Sequence, residues 1–211
     1  MIMTFTMKFS TILLILSIFG TSEKNAEYPG LLIAISHKRT LMLIIFGGLP
    51  GSGKSTIARL LAPRLNAVWV RIDSIEQSLI RSEKITMSDM GPTGYLVGYA
   101  IAADNLKLAN NVIADSVNPL AITRQAWRDV ASKNAVPMLE IEIICSDKAQ
   151  HKDRVEHRSA DITGHVLPDW QKVITRQYEP WLSTDITLDT SVLTPDQAVE
   201  VILQHIGSCR L

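Results

Sequence analysis

From residue 41 onward, short unbroken apolar runs alternate with stretches whose apolar positions recur every three or four residues. Residues 41–46 (LMLIIF) form the first run, closed by Gly47-Gly48. A run that is apolar at every position predicts a strand buried on both faces, as in a parallel sheet. Ile57, Leu60, Leu61 and Leu65 then repeat at helical spacing, with Pro63 weakening the last turn. Residues 68–72 (VWVRI) read as a second strand ending at Asp73, followed by a helix over 74–81 with Ile75, Leu79 and Ile80 inward. Residues 82–93, with Gly91-Pro92, read as a loop, and 95–110 as a helix. The pattern continues with a strand over 111–115, a helix over 120–134, a strand over 137–145 and a charged helix over 147–158. The polar stretch 159–167 suits a mobile lid; a helix over 168–178 and a fifth strand over 185–188 follow. Pro195 fits the first turn of a last helix running to about residue 206. Strict alternation of strands and helices predicts the α/β class with a parallel sheet.

Upstream of this pattern, residues 9–20 (FSTILLILSIFG) are strongly apolar, with Lys8 just before them. They are too short to span a bilayer, which takes ~20 apolar residues. Their length suits the core of a signal peptide. Equally, Met42 stands where the domain begins, so residues 1–40 read either as a leader-like N-terminal extension or as sequence from an early start codon, and 41–211 as the domain proper.

Composition narrows the class. The 211 residues carry 21 Lys plus Arg and 21 Asp plus Glu, a net charge of zero, which argues against a nucleic-acid groove. With 46% hydrophobic and 20% charged residues, a packed core is expected rather than disorder. Cys145 and Cys209 cannot build a disulfide scaffold, and neither has a partner at zinc-site spacing.

The strongest chemical signal is Gly48-Leu49-Pro50-Gly51-Ser52-Gly53-Lys54-Ser55-Thr56, which contains G-x-x-x-x-G-K-[ST] between an apolar strand and an amphipathic helix. Glycines let the backbone fold into a nest of N–H groups aimed at an anion, and the helix adds the positive end of its dipole. Lys54 would reach the β- and γ-phosphates of ATP, and the Ser55 hydroxyl would ligate Mg²⁺.

Other candidates sit at strand ends, where ligands bind in open parallel sheets. Asp73 could take a proton from an attacking hydroxyl, or cap the next helix. Asp115 could hold Mg²⁺, or simply end its strand. Ser116 follows it, where motor ATPases carry a second acid that activates water. Ser116, Asn118 and Arg124 could grip a hydroxylated or anionic substrate; a turn and a solvated helix face are the plainer alternative. Arg154 and Arg158 share a helix face before the lid and could stabilise the transferring phosphoryl group, with Arg176 a weaker candidate beyond it. Glu76, Gln77 and residues 91–99 could line the same crevice. The aromatic residues Tyr95, Tyr99, Trp127, Trp170 and Trp181 read as packing. The histidines near 151–165 lack metal-site spacing.

Taken together, GLPGSGKST (48–56), RIDSIEQ (71–77), AADNLKLANNVIADSVNP (102–119), RVEHRSADITG (154–164) and RQYEPW (176–181) resemble the bacterial P-loop kinase-like proteins labelled AAA-family ATPase or predicted kinase. Their relatives include adenylylsulfate kinase, gluconate kinase, chloramphenicol phosphotransferase and the zeta toxins. The resemblance implies a P-loop NTPase of nucleoside-kinase-like, three-layer form, with a five-stranded parallel sheet in the order 2-3-1-4-5 and a small lid. It implies a cytoplasmic enzyme that moves the γ-phosphate of MgATP to a hydroxyl of a small molecule. A nucleotide-binding switch or weak ATPase acting on a protein partner is the alternative. In adenylylsulfate kinase a Ser-Pro segment followed by an Arg helps hold the acceptor. Ser116, Asn118, Pro119 and Arg124 occupy a similar place here, with two inserted residues.

Overall fold

The computed structural model describes residues 41–208, so both readings of residues 1–40 lie outside the described residues. Five strands make one sheet: β1 (Leu43–Gly47), β2 (Ala67–Arg71), β3 (Asn111–Asp115), β4 (Met138–Ile144) and β5 (Ile186–Asp189). Their order is β2-β3-β1-β4-β5, as the resemblance implied, and every pairing is parallel. The helices are α1 (Lys54–Leu65), α2 (Ile72–Arg81), α3 (Thr93–Lys107), α4 (Ala121–Lys133), α5 (Lys148–His157), α6 (Trp170–Ile174) and α7 (Pro195–Ser208).

The continuous apolar runs are explained by two cores, one on each face of the sheet. Ile44 and Phe46 point to one side, where Ile57 and Leu61 of α1 and Val199, Ile202 and Ile206 of α7 meet them. Leu43 and Ile45 point to the other, against Ala102 and Leu106 of α3 and Trp127 and Val130 of α4. Alternate side chains of one strand thus serve opposite layers. Buried Asn111 ties layer to sheet: its Oδ1 accepts from the Met42 N–H at 3.0 Å and its Nδ2 donates to the Leu65 carbonyl at 3.0 Å. Among the described residues no helix is long and apolar enough to cross a membrane.

Element ends differ from the sequence reading in instructive places. Asp73 does not close β2. The extended backbone at Arg71 ends the strand, and Asp73 lies in the first turn of α2, where the helix dipole favours a carboxylate. The helix expected over 168–178 is only five residues, Trp170–Ile174. Beyond it the chain runs to Arg124, whose guanidinium donates to the carbonyls of Glu179 and Pro180.

Parallel register aligns the strand ends. Phe46 and Arg71 both pair with Asp115, so β1, β2 and β3 finish in one row. Everything that follows these strands opens onto one edge of the sheet. Trp127 is fully buried and meets the Tyr99 ring edge-on at 4.5 Å between centroids. Trp127→Ala is expected to cost about 3–5 kcal/mol in urea unfolding. Ile122→Ala on the same helix, at an exposed position, is expected to stay within about 0.5 kcal/mol.

Candidate active site

The glycine-rich loop joins β1 to α1 and can be traced only by residues without side chains at three places. Gly48, Gly51 and Gly53 take φ values of 135°, 85° and 100°. A Cβ at Gly48 would sit 2.0 Å from the Ile143 carbonyl oxygen, and one at Gly51 would sit 2.6 Å from the Val155 side chain. The loop is therefore seated directly on β4 and α5.

Four contacts fasten it. The Gly48 N–H donates to the Val117 carbonyl at 3.1 Å. Thr190, just past β5, donates through Oγ1 to the Ser52 carbonyl at 2.8 Å. His151 of α5 places Nε2 2.9 Å from the Pro50 carbonyl oxygen, with Trp170 packed edge-on against its ring. Burial and the cations Lys54, Arg154 and Arg158 hold His151 below its usual pKa, so the neutral ring that donates to Pro50 is favoured. Lys54 Nζ donates to the Leu49 carbonyl at 3.0 Å, folding the side chain over the loop.

An open cleft of about 1440 Å³ lies above the loop, larger than the ~300–1,000 Å³ usual for a single small ligand. Its walls include Pro50, Gly51, Gly53, Lys54, Ser55 and Thr56 from the loop and α1, Asp73 and Glu76 from α2, and Asp115 and Ser116 after β3. Arg154, Arg158 and Arg176 line it from the α5 and lid side. The structure thus brings most of the sequence candidates together.

The charges in this cleft are strained by burial. Lys54 is only 7% exposed and its pKa falls to about 8, although Asp115 and Asp73 oppose the fall. Burial likewise pushes the Asp115 carboxyl up, against the pull of Lys54. Asp115 accepts from Trp69 Nε1 at 3.1 Å and has the Ser55 hydroxyl beside it. Burial and neighbouring Asp73 lift Glu76 to about 7. Among the described residues Arg158 Nε and, within the loop, Ser52 Oγ are buried without a hydrogen-bond partner, and Ser116 Oγ is buried beside the Tyr95 hydroxyl.

Two expected substrate ligands are elsewhere. Asn118 is fully buried with φ 48°, and its Nδ2 donates to the Phe46 carbonyl at 2.6 Å. Arg124 is 2% exposed. Its guanidinium donates to the carbonyls of Asn118, Pro180, Pro119 and Glu179 at 2.8, 3.0, 3.2 and 2.6 Å, and stacks on Tyr178 and Trp181. Both residues build the turn after β3 instead of lining the cleft, because the turn's carbonyls would otherwise be buried without donors. Arg154 lines the cleft but is tethered, giving Nη1 to Thr190 Oγ1 and Nη2 to its carbonyl, both at 2.8 Å.

Sequence reasoning missed three parts: Thr190, the His151 brace, and the pair of Arg71 with Asp161. Arg71 grips Asp161 through both Nη atoms at 2.7 and 2.9 Å, tying the 159–167 segment to the end of β2. These contacts join residues far apart in the chain, and no local spacing marks them.

Residues 43–176 match the family described as the AAA domain, and the chain belongs to that family. Threonine synthase-like 1 of Mus musculus is 24% identical over 164 residues; the match takes in 75% of this chain and 21% of that protein, so the chain spans about a fifth of its length. Among solved structures, the APS kinase of Mycobacterium tuberculosis in complex with AMPPNP and APS superposes with a TM-score of 0.61 at 18% identity, covering 80% of this chain and 98% of that one. A sugar kinase from Janibacter sp. superposes at 0.54 and 19% identity, over 78% of this chain and 93% of that one. A hexameric APS kinase from Thiobacillus denitrificans gives 0.57 at 22% identity, over 81% of this chain and 29% of that one. These likenesses show a shared three-layer P-loop fold.

Arg124→Ala is expected to lower the unfolding free energy by about 3 kcal/mol or more, since several buried carbonyls lose their donor. Arg124→Lys should recover little of it, because one ammonium cannot reach four carbonyls. Urea unfolding measures both. Full stability with lost acceptor affinity would instead make Arg124 a substrate ligand.

Proposed function

We propose that this protein is an ATP-dependent phosphotransferase that phosphorylates a hydroxyl of a small molecule. The observation that carries this reading is one cleft holding both a phosphate nest with a buried lysine and, on the facing helix α2, the Asp73 carboxylate. The cleft's size accommodates a donor and an acceptor together.

The triphosphate of ATP fits the loop. Lys54 exchanges the Leu49 carbonyl for phosphate oxygens, and their negative charge restores the ammonium that burial disfavours. Ser55 and Asp115 supply hard oxygen donors suited to Mg²⁺, which takes most of its other ligands from phosphate and water. Among the described residues no cluster of three His, Cys, Asp or Glu offers a different metal site. Bound with ATP, Mg²⁺ supplies charge neutralisation on the phosphates.

Asp73 accepts the proton of the acceptor hydroxyl as its oxygen bonds to the γ-phosphorus. The bond from that phosphorus to the bridging oxygen breaks, and ADP leaves with the electron pair. Lys54 and the loop N–H groups meet the charge that builds on the leaving oxygen. Arg158, which lines the cleft with no ion pair among the described residues, meets charge on the transferring oxygens, and Arg154, braced by Thr190, orients beside it. Ser116 in the place of a second acid supports transfer to an acceptor over hydrolysis by activated water.

Lys54→Ala is expected to lower acceptor-dependent ADP release by about 10²–10³-fold. Asp73→Asn is expected to lower kcat by about 10²–10⁴-fold with little change in ATP affinity. Steady-state kinetics with isothermal titration of ATP separate the two. Slow ADP release that no acceptor pool accelerates would instead favour a nucleotide switch acting on a partner protein.

A further inference from the structure

Two of the contacts that fasten the glycine-rich loop end on carbonyls of the loop itself. The Thr190 hydroxyl donates to the Ser52 carbonyl at 2.8 Å. His151 Nε2 lies 2.9 Å from the Pro50 carbonyl oxygen, and a carbonyl only accepts, so that nitrogen carries the proton. Among the described residues neither carbonyl accepts from any other donor. The Thr190 hydroxyl also lies 3.0 Å from the Ile144 carbonyl, but the Thr190 N–H already answers that oxygen at 2.9 Å. The one hydroxyl proton therefore matters most to Ser52. Both side chains are buried, Thr190 at 7% exposure and His151 at 6%.

A peptide unit converts these outer contacts into an inner one. In a trans peptide the C=O and the N–H are held rigidly opposed. Turning the Ser52 C=O toward Thr190 turns the Gly53 N–H away from it. Turning the Pro50 C=O toward His151 does the same for the Gly51 N–H. Gly51 and Gly53 both line the cleft, and neither N–H has an acceptor among the described residues. Glycine takes either sign of φ, so neither peptide has a steric reason of its own to keep one face toward the cleft. A turned-over peptide would present a carbonyl oxygen to an anion in place of a donor.

We infer that Thr190 and His151 are positioning residues that set the polarity of the phosphate nest, Thr190 by fixing the Ser52–Gly53 peptide and His151 by fixing the Pro50–Gly51 peptide, so that the Gly53 and Gly51 N–H groups face the anion. This role rests on the ATP site proposed above and assigns two residues outside the loop to it. Each anchor has its own support. Thr190 is gripped by Arg154, which gives Nη1 to its hydroxyl and Nη2 to its carbonyl, both at 2.8 Å. The His151 ring meets Trp170 edge-on at 5.2 Å between centroids.

The test uses the full chain labelled with ¹⁵N-glycine, with tripolyphosphate as a probe of the nest alone and MgATP beside it. In the native chain tripolyphosphate is expected to move the Gly51 and Gly53 amide protons downfield. Thr190→Val keeps the shape of the side chain and removes the hydroxyl. It should lose the Gly53 shift, keep that of Gly51, and weaken both probes by about 10–100-fold in isothermal titration. Thr190→Ser should restore the shift and most of the affinity. His151→Phe keeps a ring and removes the donor, and should lose the Gly51 shift while keeping that of Gly53. Glycine signals outside the loop show whether each variant is folded. If Thr190→Val does not fold, His151→Phe carries the test: a loss confined to Gly51 supports the role. Native affinity with both shifts intact, an equal loss of both shifts in a folded variant, or a folded Thr190→Ser that restores nothing overturns the role and leaves the phosphotransferase standing. A native chain that binds neither probe removes the ATP site and this inference with it.

Discussion

The loop between β1 and α1 turns back above the sheet through positive φ at Gly48, Gly51 and Gly53, and only a chain freed of side chains there can make that turn. A nest of this kind is not self-supporting. It is held through Val117 after β3, through Ile143 of β4 and His151 of α5, and through Thr190 after β5. The strand order explains how this is achieved. β1 is central, so its loop emerges between neighbours that can each reach it. Thr190 has a double role, since the hydroxyl that fixes Ser52 also accepts from Arg154. The loop and the arginine are positioned by the same side chain.

The arginines divide into builders and responders. Arg124 is spent on four carbonyls of the turn after β3 and of the 178–181 segment. Arg128 forms a two-point pair with buried Glu140, and Arg71 fastens Asp161. Arg158 and Arg176 face the cleft with no ion pair among the described residues. The same division appears in the acids and in Lys54: burial drives Lys54, Asp115 and Glu76 toward neutrality. Groups held away from water in this way exert stronger electrostatics on charged substrates.

Much of this was legible in the chain. The run LMLIIF suited a strand buried on two faces, and its glycine-rich sequel with Lys54 and Ser55 pointed to a phosphate site. NVIAD gave β3 with its true ends because Asn111 and Asp115 mark them as polar bounds to an apolar core. Asn118 and Arg124 misled for a physical reason. A polar turn followed by an arginine looks the same in sequence whether the guanidinium faces a ligand or buried carbonyls, and only the position of the 178–181 segment decides. Asp73 was placed by the end of an apolar run, although the helix that carries it already begins at Ile72. Thr190, His151 and the Arg71 to Asp161 pair act across the fold, between residues that nothing local connects.

The central claim is that the γ-phosphoryl group passes directly to an acceptor hydroxyl within this cleft. The most direct test follows the label from [γ-³²P]ATP with the full chain and an active acceptor. The account predicts that the label leaves ATP only when acceptor is present and arrives in an organic phosphomonoester. Label found in inorganic phosphate alone, at a rate indifferent to acceptor, would contradict it.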